Sequence, residues 1–267
     1  MALDLSNRIC FVSHGGGPLP LLGDAGHREM TTVLREIAES IPRPRSIIVI
    51  SAHWEALAPT VTAGENPGLI YDYFGFPPES YSIKYPSPGN PKLADEVLNS
   101  LANRGFAAVA DQARGFDHGH FVPLKIMYPE ADIPAIQLSL SKSLEPNTHL
   151  EIGRALADLD DSGVLILGSG FSFHNLREFF RPMNAESAKL NEDFEAWLVE
   201  TISSTELSDN ERFQRMLDWE SAPGSRFCHP REEHLLPLHV CLGAAKNRRA
   251  EKFQCRILGV LSSFFLW

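Results

Sequence analysis

The sequence predicts an α/β fold: a single domain on a central sheet that is mainly parallel, or mixed, with helices on both faces. Three observations predict it. Short β-branched apolar runs, such as "IIVIS" at 47–51 and "VLILG" at 164–168, alternate with longer stretches of helical spacing. Several of these runs lack polar alternation, as strands covered on both faces do. No repeat and no shift in composition divides the 267 residues, so 1–267 reads as one domain, long enough to bury a substantial core.

Taken in order, Ile9–Ser13 is an apolar strand, and Ala25–Ser40 carries helical spacing. Ser46–Ser51 is the second strand. A helix over Pro91–Asn103 follows Asn90, a good cap placed before proline at the first helical position. Strands are expected at Ala107–Ala110, Ala135–Ser139 and Val164–Gly168, with helices over Thr148–Asp160 and Ala185–Ser203. A last strand run lies around Gln254–Phe264. Two segments break the rhythm. Glu65–Pro91 is rich in Pro, Gly and aromatic residues, which predicts an ordered lid or pocket wall. Ser204–Arg231 leads into "HPREEHLLPLHV", where a loop enters a helix; Glu232 and Glu233 read there as first-turn acids, with Pro237 one turn in.

The formal charge of −10 argues against nucleic acid as a partner, since phosphate contacts need clustered Lys and Arg. Lys246, Arg248, Arg249 and Lys252 read as a solvated helix end. Cys10, Cys228, Cys241 and Cys255 form no CxxC pair, and Cys10 and Cys255 lie in apolar runs as buried thiols. No apolar run has transmembrane length, so no membrane association is expected. Asp4, Ser6 and Asn7 stand where a signal peptide needs a basic start and an apolar core, which predicts a cytoplasmic protein.

The ten histidines are not placed at random. His14 follows the first strand in "CFVSHGGGPLP", His53 the second in "SAHWE", and His174 the Val164–Gly168 strand in "GSGFSFHNL". In an open parallel sheet ligands bind beyond the carboxyl ends of strands, so these three can meet in one crevice. "FDHGHF" adds His118 and His120, and "HPREEHLLPL" adds His229, Glu232, Glu233 and His234. Imidazoles with a carboxylate and open positions suit a non-haem iron(II) that binds substrate and O₂ together. Imidazole equally suits zinc, so residue type leaves an oxygenase and a metallohydrolase both open. HExxH, GxSxG and GxxxxGK[ST] are all absent.

Together these stretches resemble the class III extradiol ring-cleavage dioxygenases of the LigB type, DODA (dihydroxyphenylalanine dioxygenase) branch. The matching motifs are "SHGGGP" at 13–18, "SAHWE" at 51–55, "YDYFGFP" at 71–77 and "YPSPGNP" at 85–91. They continue with "GFDHG" at 115–119, "MYPEADIPAIQLSL" at 127–140, "GSGFSFHNL" at 168–176 and "HPREEHLLPL" at 229–238. The resemblance spans nearly the whole chain. It implies an α/β fold holding one divalent metal, Fe(II) for activity, with Zn(II) often found instead.

Carried over by position, His14 and His53 match two histidine ligands, and the third falls in "EEH". His234 is favoured there; Glu233 is the alternative, because ring-cleavage relatives use a glutamate. His174 matches an acid/base histidine that can also approach the metal as an additional ligand, and His118 matches one that faces the substrate. Many relatives place a small residue and then tryptophan after "DHG", where this chain has His120-Phe121. His120 is therefore expected on the substrate-side wall, with Tyr73 and Phe74 as aromatic substrate contacts. The implied partners are a small-molecule catechol, DOPA-like or otherwise substituted, and O₂. The expected assembly is a monomer or small homo-oligomer. Two rivals share the ligand set: a zinc-dependent hydrolase and a non-enzymatic metal-binding relative.

Overall fold

A computed structural model describes residues 8–157, 159, 163–179 and 183–267. Asp4, Ser6, Asn7 and the expected helix end at Asp160 lie outside the described residues. The strands are β1 (Ile9–Ser13), β2 (Ser46–Ala56), β3 (Thr60–Thr62), β4 (Val109–Asp111), β5 (Ala135–Ser141), β6 (Val164–Gly170), β7 (Glu251–Ile257) and β8 (Val260–Leu266). They form one sheet in the order β4-β3-β5-β2-β6-β1-β8-β7. The centre, β5-β2-β6-β1, is parallel. Beyond it β3 runs antiparallel to β5, and β8 antiparallel to β1, so the sheet is mixed at its flanks. The four central strands are buried along nearly their whole length, which explains their unbroken apolar sequence.

Helices α1 (Arg28–Ser40), α2 (Pro91–Asn103), α3 (His118–Met127), α4 (Pro146–Leu156), α5 (Leu176–Phe179), α6 (Ala185–Ser203), α7 (Asp209–Leu217), α8 (Ser225–Cys228) and α9 (Leu236–Ala244) cover both faces. Asn90 caps α2 as expected, its side chain accepting the Leu93 N–H at 3.1 Å. α9 lies against β6, β1 and β2, and α4 packs closely outside it. Gly153 and Gly243 permit that approach, because a Cβ on either would strike the facing helix backbone. α3 and α1 pack on the other face. No helix among the described residues is long and apolar enough to cross a membrane.

Several boundaries differ from the sequence expectation. The expected C-terminal strand is a hairpin: β7 and β8 are joined through Leu258 and Gly259, both with positive φ, 52° and 90°. The helix predicted from Ala25 starts at Arg28, after a 3₁₀ turn over Ala25–His27. α9 starts at Leu236, so Pro237 sits in its first turn and Glu232 and Glu233 precede the helix. Their role is therefore not to complement a helix dipole. The Glu65–Pro91 segment is an ordered wall tied down by tyrosine hydroxyls: Tyr71 donates to the Ile83 carbonyl at 2.6 Å, Tyr73 to Ser80 at 2.7 Å, and Tyr85 to Tyr128 at 3.0 Å. All four cysteines are buried free thiols.

Candidate metal centre

Strand ends deliver the histidines. His14 directly follows β1, and its N–H donates to the Gly170 carbonyl at the tip of β6. His53 lies past the last β2–β6 pair, Ser51 with Ser169, where the β2–β5 register also shifts between Ile50 and Glu55. That irregularity turns β2 at its tip and aims His53 inward. His234 comes from the loop before α9, and its carbonyl accepts the Phe171 N–H just beyond β6.

Three ring nitrogens meet. His14 Nε2 lies 3.0 Å from His53 Nε2, which lies 3.3 Å from His234 Nε2. The remaining nitrogens face outward to partners. His14 Nδ1 is 3.0 Å from Ser169 Oγ, His234 Nδ1 is 2.9 Å from Glu233 Oε1, and His53 Nδ1 is 3.8 Å from Asp72 Oδ2. A carboxylate can only accept, so it holds the proton of His234 on Nδ1 and turns the Nε2 lone pair inward. Burial, reinforced by the neighbouring imidazoles, holds all three histidines well below their ordinary pKa, hence neutral.

Converging neutral lone pairs repel unless a cation sits between them. Nitrogen ligands about 2.1 Å from a tetrahedral ion lie roughly 3.4 Å apart, close to the spacing here. The donor set therefore fits a divalent metal, with outward carboxylate and hydroxyl partners of the kind that orient metal-bound imidazoles.

Two more histidines flank the cluster. His174 stacks on His234 with ring centroids 3.4 Å apart, and its Nδ1 is 3.0 Å from Glu233 Oε1. Glu233 thus binds the outer edges of both rings. Its Oε1 meets His234 on the Nδ1 side, opposite the Nε2 that faces His53, and His174, Glu233 and His234 form a second group whose ligand atoms lie within 4.8 Å of one another. Burial, the largest single influence, would raise the Glu233 pKa, but the interactions with His174, a backbone hydrogen bond and Arg231 together outweigh it and the net shift is downward. His118 packs 3.8 Å from the His53 ring, and its Nδ1 lies 2.8 Å from Asp72 Oδ1, which also accepts the His118 N–H at 3.0 Å.

A cavity of about 560 Å³ opens over these groups. Its lining combines His14, His53, His118, His174 and His234 with apolar walls from Tyr73, Phe76, Phe171 and Leu258. Gly15, Gly16 and Gly17 border it too. Their composition answers to what lies behind them as well. Gly15 has φ +82°, and a Cβ there would lie 2.7 Å from the His27 ring. The Gly16 N–H donates to His27 Nε2 at 3.0 Å rather than into the cavity, and Asp24 holds His27 Nδ1 at 2.7 Å.

Two expected substrate contacts are corrected. His120 is fully buried and stacks on Phe116 with centroids 3.8 Å apart, outside the cavity. His118 and His120 are both in the first turn of α3, and two residues on a helix point about 200° apart, so only one can face the metal. Phe74 is 91% exposed, while Tyr73 beside it is buried and lines the cavity. Sequence reasoning missed Asp72, Ser169 and His27. Asp72 and Ser169 stand inside the quoted "YDYFGFP" and "GSGFSFHNL", where the aromatics and His174 drew attention, and His27 carries no local signal.

The model of the catalytic LigB subunit of aromatic ring-opening dioxygenase matches residues 12–266. Among curated proteins, Dioxygenase tasH of Hapsidospora irregularis is 40% identical, covering 97% of this chain and 85% of its own. The 4,5-DOPA dioxygenase extradiol of Beta vulgaris is 39% identical, covering 90% of this chain and 88% of its own. The Escherichia coli K12 protein of the same name is 36% identical, over 88% and 83%. The crystal structure of an uncharacterized protein from Escherichia coli K12 superposes with a TM-score of 0.77 at 28% identity, covering 97% of this chain and 98% of that one.

Proposed function

We propose, on the premise that this chain belongs to the LigB family of aromatic ring-opening dioxygenases, that it cleaves a substituted catechol in the extradiol manner at a single iron(II) held by His14, His53 and His234. The observation that carries the ligand assignment is the convergence of three neutral Nε2 atoms, with the outward nitrogens of His14 and His234 held by hydrogen bonds. Iron(II) bound there supplies a Lewis acid for the catechol oxygens and the electrons that engage O₂.

The chain's own groups handle protons and position. With Nδ1–H donated to Glu233, His174 presents Nε2 as a base for a catechol hydroxyl and later returns the proton to the opening ring. Glu233 steadies the imidazolium formed in between. His118, its Nδ1 anchored on Asp72, turns its other nitrogen toward the substrate side. Tyr73, Phe76 and Phe171 supply flat apolar surface for an aromatic ring and limit water. Both atoms of O₂ enter the product, an open-chain acid with an aldehyde. Since several relatives bear the name 4,5-DOPA dioxygenase, a DOPA-like catechol heads the substrate panel.

The test is anaerobic loading with iron(II), followed by catechols and air. One O₂ consumed per yellow ring-opened product is the expected result. Absence of uptake across a broad panel overturns the reading, as does metal-dependent hydrolysis without O₂. His174→Ala is expected to keep its metal while losing turnover.

A further inference from the structure

The cavity has one feature that ring opening itself does not use. Arg231, the single lysine or arginine among the described residues lining it, stands at its rim opposite Glu55. The guanidinium meets that carboxylate through two parallel bonds, Nη1 to Oε1 at 2.6 Å and Nη2 to Oε2 at 2.7 Å. Nη1 is also 3.4 Å from Glu233 Oε2, one residue from His234. Arg231 is therefore within reach of a molecule seated over the histidines.

Building on the ring-opening function above, we propose that Arg231 is the carboxylate receptor of this cavity, the residue that sets the preference for a catechol with a carboxylate on its side chain. Glu55 is its stand-in when no substrate is bound. The side chain of Arg231 is 51% exposed and that of Glu55 23%, so solvent screens the pair in part. Exchanging one carboxylate for another keeps the two-point geometry that guanidinium favours. The displaced Glu55 is left facing water at the rim. The lining also holds two carboxylates, Glu55 and Glu233, so a substrate carboxylate would be held there by the paired geometry on the guanidinium and not by net charge.

The test compares three probes on iron(II)-loaded protein by O₂ uptake: 3,4-dihydroxyphenylacetate (anionic), 4-methylcatechol (neutral) and dopamine (cationic). Wild type should favour the anion. Arg231→Gln should lower the ratio of kcat/KM for the anion to that for 4-methylcatechol roughly 10- to 100-fold, mainly through KM, with Arg231→Lys recovering part of it. The anion-to-dopamine ratio should fall likewise. An equal loss on all three probes, or no change in ratio, overturns the receptor role. If wild type consumes O₂ with none of them, the broad panel above decides ring opening separately. Calorimetry on zinc-loaded protein then decides the receptor role: binding of 3,4-dihydroxyphenylacetate at least tenfold weaker in Arg231→Gln supports it, and equal binding overturns it.

Discussion

Replacing Glu195 with glutamine should remove a pH-dependent cost that is built into the fold behind the metal centre. Glu195 is fully buried on α6, facing β8. Its carboxyl takes hydrogen bonds from the hydroxyls of Ser263 and Ser172, while Oε1 has no partner among the described residues. Burial pushes its pKa from 4.5 up to about 7, and the two serines offset only part of that. A raised carboxyl pKa means that the folded state binds more protons than the unfolded state between those values, so stability falls as pH rises through that window.

Integrated over the window, the cost of ionising Glu195 grows by about 2.5 kcal/mol between pH 5 and pH 8. The buried histidines run the other way, since their depressed pKa values favour the fold as pH rises, but they are common to both proteins and cancel in the difference. Urea unfolding of wild type and Glu195→Gln at half-unit steps from pH 5 to pH 8 reads that difference directly. The variant should gain on wild type steadily up to about pH 7 and then level off. A difference that does not vary with pH, or that moves toward wild type at high pH, refutes a neutral buried carboxyl.

Three other outcomes follow from the geometry. His14→Ala, His53→Ala and His234→Ala should each lose stoichiometric metal by elemental analysis, whereas Glu233→Gln should retain it with affinity weaker by roughly 10- to 100-fold in equilibrium dialysis. Gly15→Ala combines positive φ with a clash on the His27 ring, and should destabilise by about 2–4 kcal/mol in chemical denaturation. His120→Phe extends the stack on Phe116 and removes two buried ring nitrogens that have no partner among the described residues, so it should stabilise by about 1 kcal/mol with ring-opening activity within twofold of wild type.

Much of this architecture was legible in the residues. Five of the expected strands coincide with β1, β2, β4, β5 and β6 to within a few residues, except that β2 runs on to Ala56. It does so because its pairing with β5 resumes after the irregularity that carries His53. β7 and β8 were merged into one run, since a Leu-Gly turn lacks the usual Asn or Asp signal. α3 escaped helical periodicity because it is buried nearly all round, leaving no polar face to mark the repeat.

What the sequence by itself determined is the central strands of the sheet, β3 apart and β7 and β8 unresolved from one another, and the presence of a histidine beyond β1 and β6 and near the end of β2. Both follow from local apolar periodicity and from the rule that parallel strands point their carboxyl ends one way. Only the tertiary structure decided which atoms face one another. His53 and His234, 181 residues apart, meet through Nε2. Glu233 was placed on the Nδ1 side of His234, His118 was turned in and His120 out, and Arg231 was set on Glu55 across 176 residues. A side chain's direction depends on helix phase, strand register and loop closure acting together, and no stretch of sequence contains all three.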